Sequence, residues 1–330
     1  MSREKILSLL LEQGDSYVSG EAMSRTLGIS RAAVWKAIEA LRQEGYEIQS
    51  ATKRGYRLER APDRVREGEL AGPLSGCHVG SRLICLDVID STNTEAKRQA
   101  MAGASDGLVI LSEEQTGGRG RLGRSFQSPR GTGLYLSALL RPSLPPQEVV
   151  DFTAWVAVAV CDGIQAACGV RPRIKWTNDI VLGGRKLCGI LTELGLEGES
   201  NALDYLITGI GVNVNQRTED FLPEVRPIAV SLAQELGRPV RRAELAVEII
   251  RALDRMYAGF PDNKAEYLEY RRRCVNLGRT VRLLRPDGGG ETAEALDIDE
   301  EFGLVVRRPD GAVKTVRSGE VSVRGMYGYV

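Results

Sequence analysis

A chain of 330 residues with 44 Lys and Arg, 44 Asp and Glu and one His carries no formal net charge. That length is roughly two domains' worth, because single domains cluster near ~100 to 200 residues. With 42% apolar and 27% charged residues, the composition excludes wholesale disorder and a fibrous chain, and the charge balance argues against a protein that coats nucleic acid indiscriminately.

Met1 to Asp15 is a charged amphipathic stretch without a small-residue cleavage site, and the longest apolar run, Ala154 to Cys161, falls far short of the ~20 residues that span a bilayer. The expectation is a cytoplasmic chain with no membrane partner. The six cysteines include no C-x-x-C pair and have only His78 as a nitrogen companion, so they read as reduced thiols rather than a zinc site.

The first residues predict a small helical unit. Ile6, Leu9, Leu10 and Leu11 supply an apolar face; Ser19 opens a second helix with Ala22, Met23 and Leu27 inward; Gly28-Ile29-Ser30 turns the chain into a third, which buries Val34, Ile38 and Leu41 and ends at Gly45. Two helices joined by a short Gly-containing turn make a helix-turn-helix, and the alternating segment around Thr52-Lys53-Arg54-Gly55 predicts the hairpin wing of a winged helix. From Arg31 to Arg60 seven cations face four anions, a net of +3. Arg31, Ala32, Trp35 and Lys36 face outward from the third helix and Lys53 and Arg54 stand at the wing tip, so these six are the candidate DNA contacts.

Residues 61–80 read as a linker. Strands are then expected at Arg82–Val88, Gly107–Leu111, Gly133–Leu140, Arg173–Trp176, Leu187–Glu193 and Asp204–Val212. Helices are expected at Thr94–Ala102, Gln147–Gly169, Ala229–Leu236 and Ala243–Ala258. Few strands are separated by a helix of crossover length, so the fold class is α+β with a mixed sheet rather than a doubly wound one. After Gly278 only short strands remain (Thr280–Leu284, Glu291–Asp297, Leu304–Arg308, Val313–Arg317, Glu320–Arg324), with turns such as Pro286-Asp287-Gly288, which predicts a small β-barrel.

Gly118-Arg119-Gly120-Arg121-Leu122-Gly123 matches G-x-G-x-x-G in letters only. A dinucleotide fingerprint needs a following helix and an acidic residue about 20 positions on, whereas here turn and strand follow and no Asp or Glu occurs from Gln115 to Gln147. That stretch holds Arg119, Arg121, Arg124, Arg130 and Arg141 without a compensating carboxylate. Repulsion between them predicts a loop that orders on an anion, with glycine backbone N–H groups and arginine forks as its ligands. Lys186, ahead of LCGILTEL, is a second candidate anion contact, and Asp90-Ser91-Thr92-Asn93 offers either a helix cap or polar recognition.

IDSTN, EEQTGGRGRLGR, KWTNDIVLGGRKLCGIL, TGIGVNVN and GEVSVRG, in that order, resemble the biotin-protein ligases, and the leading winged helix resembles the bifunctional kind that also represses biotin genes. The resemblance implies three units: a winged helix-turn-helix at 1–65, a catalytic domain at 66–274 related to class II aminoacyl-tRNA synthetases, and a small SH3-like β-barrel at 275–330. It implies that biotin and ATP give biotinyl-5'-AMP, from which biotin passes to a lysine of the biotin carboxyl carrier protein, with operator DNA as the second partner; because one winged helix makes few contacts and two-fold pairing supplies a second half-site, an adenylate-bound homodimer is the expected binding form. Carried over by motif, Ser91, Thr92, Asn93, Gln115, Gly118, Arg119, Gly120, Arg121 and Lys186 would hold biotin. Arg119, Arg121, Arg124, Phe126, Lys175, Trp176, Asn178, Asp179 and Asn213 would hold ATP or the adenylate, with Lys186 and Arg121 as the catalytic pair. Magnesium is implied by ATP, with no ligands assigned. Thr177 departs from the family's usual Pro, and Phe126 from a Trp found in some members. The other readings are a biotin-sensing transcription factor without ligase activity and a lipoate-type protein ligase.

Overall fold

A computed structural model describes residues 2–330 apart from 199, 264, 285–288, 318–321 and 326–328. In the N-terminal unit, α1 (Ser2–Glu12), α2 (Gly20–Leu27) and α3 (Arg31–Gln43) are followed by the hairpin β1 (Glu47–Ala51) and β2 (Gly55–Arg60). The expected punctuation is in place. Ser19 accepts from Ala22 N at 3.0 Å and Ser30 from Ala33 N at 3.1 Å, while Gly28 takes φ 65° between the two helices. The inward face of α1 is rotated from expectation: Ile6, Leu7 and Leu10 are buried and Leu9 is half-buried, whereas Leu11 and, on α2, Ala22 are exposed.

Residues 61–80 are not a free linker. They contain the short helix α4 (Glu67–Leu70), and Val65, Leu70, Leu74 and Val79 are buried in the central core. Their polar side is pinned by a fully buried arginine. Arg242 meets Asp63 at 3.0 Å and Glu113 at 2.8 Å and donates to the Gly133 carbonyl, while Glu113 accepts from Val65 N.

The central unit runs β3 (Arg82–Leu86), α5 (Thr92–Met101), β4 (Leu108–Ser112), β5 (Gly133–Leu140), α6 (Phe152–Cys168), β6 (Arg173–Lys175), β7 (Asp179–Leu182), β8 (Arg185–Leu196) and β9 (Leu203–Asn213). Helices α7 (Leu232–Leu236), α8 (Arg242–Gly259) and α9 (Ala265–Arg273) follow. The seven strands lie in the order β3-β4-β5-β9-β8-β7-β6, all antiparallel except β3 and β4, which α5 connects. The sheet is covered on both faces, as the two-residue alternation along β4 requires: Leu108 and Ile110 pack with α5, Val109 and Leu111 with α6 and α8. Helix α6 is apolar on nearly every side because it lies beneath the sheet; with the turn before it, the segment is long and apolar enough to cross a bilayer, yet it is a core helix. Sequence reading missed α9, too charged on its outer face, and β7, whose four residues follow a tight turn.

The C-terminal unit is a five-stranded antiparallel sheet of β10 (Arg279–Leu284), β11 (Gly290–Ile298), β12 (Leu304–Arg307), β13 (Val313–Val316) and β14 (Ser322–Gly325), ordered β13-β12-β11-β10-β14. Among the described residues β13 and β14 are the outer strands of this expected β domain. The Pro286-Asp287-Gly288 turn and the first residues of GEVSVRG lie outside the described residues. This sheet has no core of its own: Val281, Leu283, Ile298 and Leu304 belong to the same apolar cluster as α6, and Phe302 contacts Trp155 and Tyr270 edge-on or tilted.

Candidate functional site

A cleft of about 430 Å³ opens where the β4–β5 loop, the N-terminus of α5 and the adjoining ends of β7, β8 and β9 meet. Fifteen of the sixteen candidate biotin and nucleotide residues, drawn from positions 91 to 213, line it. They form a polar end, a cationic lid and a charged floor.

At the polar end, Gln115 Oε1 accepts from Thr92 N (2.9 Å) and Thr92 Oγ1 (3.1 Å), and its Nε2 donates to Ser128 (2.8 Å). Ser137 donates to Asn93 Oδ1 at 2.6 Å, while Asn93 Nδ2 donates to Glu193 at 2.8 Å. Burial pushes the Glu193 carboxyl up, but the Asn93 hydrogen bond and Lys97 outweigh it and hold its pKa below the usual value. Each side chain here is thus fixed by a neighbour, leaving a rigid donor and acceptor surface. Ser91 stands at the N-cap of α5 but makes no capping hydrogen bond, so the cap reading of its hydroxyl is set aside.

The lid is the arginine loop. It is a folded turn in which Gly120 N donates to Arg124 O at 2.7 Å and Phe126 N to Gly118 O at 2.9 Å, with Leu122 at φ 57°. Gly118 does not line the cleft. It is required instead by the crossing of the loop's two arms, where a Cβ would come within 2.5 Å of Phe126 O. The five-arginine cluster also resolves into two groups. Arg130 pairs with Asp87, and Arg141 pairs with Asp204 while donating to three carbonyls, so both are structural. Arg119, Arg121 and Arg124 line the cleft and have no salt bridge among the described residues. Arg119 donates to Thr94 at 2.7 Å, and Arg121 to Thr177 at 2.8 Å and Asn178 at 3.0 Å. Burial lowers the Arg121 pKa, Asp179 opposes that in part, and Arg124 adds to the lowering.

On the floor, Lys186 Nζ meets Asp179 Oδ1 at 2.6 Å. Lys186 is the second residue of β8 rather than a residue ahead of it, and its backbone is clamped by Ile228 O at 2.6 Å and Val230 N at 2.9 Å. Burial raises the Asp179 carboxyl, yet Lys186, Tyr329 and Lys175 overcome that and leave it below the ordinary carboxylate pKa. Asn213 donates to the Val230 carbonyl, bracing the same segment. Asn178 donates to Ile190 O at 2.9 Å. Trp176 reaches the cleft, but its indole N–H donates to Phe302 O at 2.9 Å, tying the KWTND turn to the C-terminal sheet.

Two groups escaped sequence reading. Gly209 and Gly211 in β9 leave room for side chains from across the cleft: a Cβ would lie 2.1 Å from Asn93 Oδ1 at one and 2.5 Å from Phe126 Cε1 at the other. Glycines at alternate positions of an otherwise apolar strand were the available signal. Tyr329, 9% exposed, joins the floor from the C-terminus, and nothing local marks it. Among the described residues no three Asp, Glu, His or Cys side chains converge on one point.

The N-terminal face sorts its cations similarly. Arg42, Arg57 and Arg60 pair with Glu39, Glu59 and Glu47. Arg31, Ala32, Trp35, Lys36, Lys53 and Arg54 are all exposed, and none of the cations among them has a salt bridge among the described residues. The Arg54 guanidinium rests 4.3 Å from the centroid of the Tyr17 ring.

Three family models match the chain: an HTH domain at residues 2–57, the biotin/lipoate A/B protein ligase family at 85–213, and a biotin protein ligase C-terminal domain at 277–324. The chain is 37% identical to the bifunctional ligase/repressor BirA of Bacillus spizizenii over 97% of its own length and 98% of that protein's. With the Escherichia coli protein of the same name the identity is 31% over 96% of each. Among solved structures, the biotin protein ligase of Aquifex aeolicus in complex with biotin and ATP superposes with a TM-score of 0.64 at 29% identity, covering 74% of this chain and 99% of that one.

Proposed function

Because this chain belongs to the family of bifunctional biotin ligases and repressors, we propose that its cleft joins biotin to ATP and passes the activated biotin to a carrier-protein lysine, while its winged helix binds operator DNA. The carrying observation is the meeting of a rigid polar pocket, three arginines without a salt bridge among the described residues and the Lys186–Asp179 pair in one cleft. In the first step a biotin carboxylate oxygen attacks the α-phosphorus of ATP and pyrophosphate leaves. In the second, the ε-amine of the carrier lysine attacks the acyl carbon of biotinyl-5'-AMP and AMP leaves.

Thr92, Asn93 and Gln115, with Ser91, suit the ureido end of biotin, whose N–H and C=O groups need fixed partners. Lys186 turns from Asp179 to the negative charge that builds between carboxylate and α-phosphate, and Arg121 and Arg119 close above it, supplying preorganised charge stabilisation. Arg124, Phe126, Lys175, Asn178 and Asn213 shape the nucleotide side. The acceptor lysine is itself the nucleophile, so the protein needs none, and closure of the lid shields an anhydride that water would destroy.

The three units 1–65, 66–274 and 275–330 divide this work. A single winged helix makes few base contacts, so adenylate binding promotes a homodimer that presents two half-sites. A carrier protein and DNA as partners support a cytoplasmic location.

The deciding experiment mixes the protein with biotin, ATP and a carrier domain with or without its acceptor lysine. Pyrophosphate is expected in both mixtures and biotinylated carrier only in the first. Lipoate activated in preference to biotin would make the chain a lipoate-type ligase, and adenylate binding without transfer would make it a sensor.

A further inference from the structure

The floor of the cleft contains a residue that no motif assigns. Tyr329 is 150 positions from Asp179, yet its hydroxyl donates to Asp179 Oδ2 and the centroid of its ring lies 3.6 Å from Lys175 Nζ. Lys175 and Asp179 are the two charged ends of the KWTND turn. One tyrosine therefore holds both, its electron-rich face toward the cation and its hydroxyl toward the carboxylate. The ring is seated among Val181, Val275, Ile228 and Val330. The carbonyl of Ile228 in turn accepts from Lys186 N, so the tail covers the patch that clamps the Lys186 backbone.

We propose that Tyr329 is a positioning residue of the adenylation step, holding Lys175 and Asp179 in place so that Lys186 is aimed at the reacting carboxylate and α-phosphate. The proposal rests on the adenylation reading above. An apolar plug would need only the ring, but Asp179 faces Lys186 on one oxygen and Tyr329 on the other. Loss of the hydroxyl leaves Lys186 as the main partner of that carboxylate and draws the lysine away from substrate. Loss of the ring uncovers Lys175, which is 3% exposed.

The test compares full-length wild type, Tyr329→Phe and Tyr329→Ala in two assays. In pyrophosphate release with biotin and ATP, Tyr329→Ala is expected to lower kcat by about tenfold or more while the KM for biotin moves less than about twofold. Tyr329→Phe, which keeps the ring, recovers part of that loss. In the second assay, which needs no substrate, lysine acetylation by a water-soluble reagent is mapped by mass spectrometry, and Lys175 is expected to react faster in Tyr329→Ala. Should the alanine variant unfold, the phenylalanine variant carries the test through its kcat alone. Unchanged kcat and unchanged Lys175 reactivity overturn the proposal, as does a change confined to the KM for biotin. A wild type that releases no pyrophosphate with biotin overturns the adenylation reading instead, and the acetylation pattern then decides the positioning claim.

Discussion

The ring of Phe126 lies where a side chain on Gly211 would have to be: a Cβ at Gly211 would fall 2.5 Å from Phe126 Cε1, with Gly189 under the ring's other edge. Phe126 also meets Tyr135 edge-on, with centroids 6.5 Å apart. The lid and the sheet therefore fit each other through two glycines rather than through a salt bridge. Gly211→Ala is expected to displace the lid, lowering adenylate formation by about tenfold or more while costing roughly 1 to 3 kcal/mol in stability. Pyrophosphate release and thermal melting measure the two, and an alanine variant with wild-type turnover would show that the ring moves freely.

Lys186→Ala and Arg121→Ala each remove a cation that lines the cleft, one from its floor and one from its lid. Both are expected to lose about a hundredfold in pyrophosphate release, the scale of a single preorganised contact to developing charge. Neither contributes to the apolar core, so circular dichroism stays near wild type, while Lys186→Ala, which takes the nearest cation from the buried Asp179 carboxylate, also lowers the melting temperature. Normal release from either variant removes it from the mechanism.

The DNA face and the cleft share no residue, so the two activities should separate. Lys36→Ala and Arg54→Ala are each expected to weaken operator binding and to reduce the slope of log affinity against log salt by about 1, the effect of one lost phosphate contact. Biotin transfer stays at the wild-type rate. Fluorescence anisotropy across a salt series checks the slope, and an unaltered slope would move phosphate contact elsewhere on the unit.

Glu69, on α4, is buried against Tyr46, which donates to it at 2.7 Å, and Arg241 at 3.2 Å. Burial raises its pKa to about 7 despite both partners. The folded state therefore holds this proton more tightly than the unfolded chain. Its contribution to stability is complete below the ordinary value of about 4.5 and is lost as pH rises to about 7, by at most about 3 kcal/mol. Glu69→Gln is expected to flatten that part of the stability profile. Melting curves between pH 5 and 8 with the same slope for both proteins would refute the assignment.

Local pattern carried a large part of this protein. Caps at Ser19 and Ser30, the Gly28 turn and the two-residue alternation of the wing are decided within a few residues, and so is the identity of the exposed cations on α3 and the wing. The motifs around Asn93, Arg121 and Lys186 likewise needed only their own sequence to be recognised, because each is a run of chemically unusual residues in a fixed order. What local pattern could not carry was pairing over distance. Charge counting grouped five arginines, yet Asp87 and Asp204 lie outside the counted segment and claim two of them. Residues 61–80 read as a linker because their composition is polar, while Arg242, some 180 positions on, makes Asp63 part of the core. Tyr329 has no meaning until the C-terminal segment reaches Asp179. Sequence by itself determined the kinds of groups present and the elements that bear them, since those follow from interactions among near neighbours. Only the tertiary structure decided which charges neutralise each other and which are left to meet a ligand, since that depends on distances of a few ångströms between residues far apart in the chain.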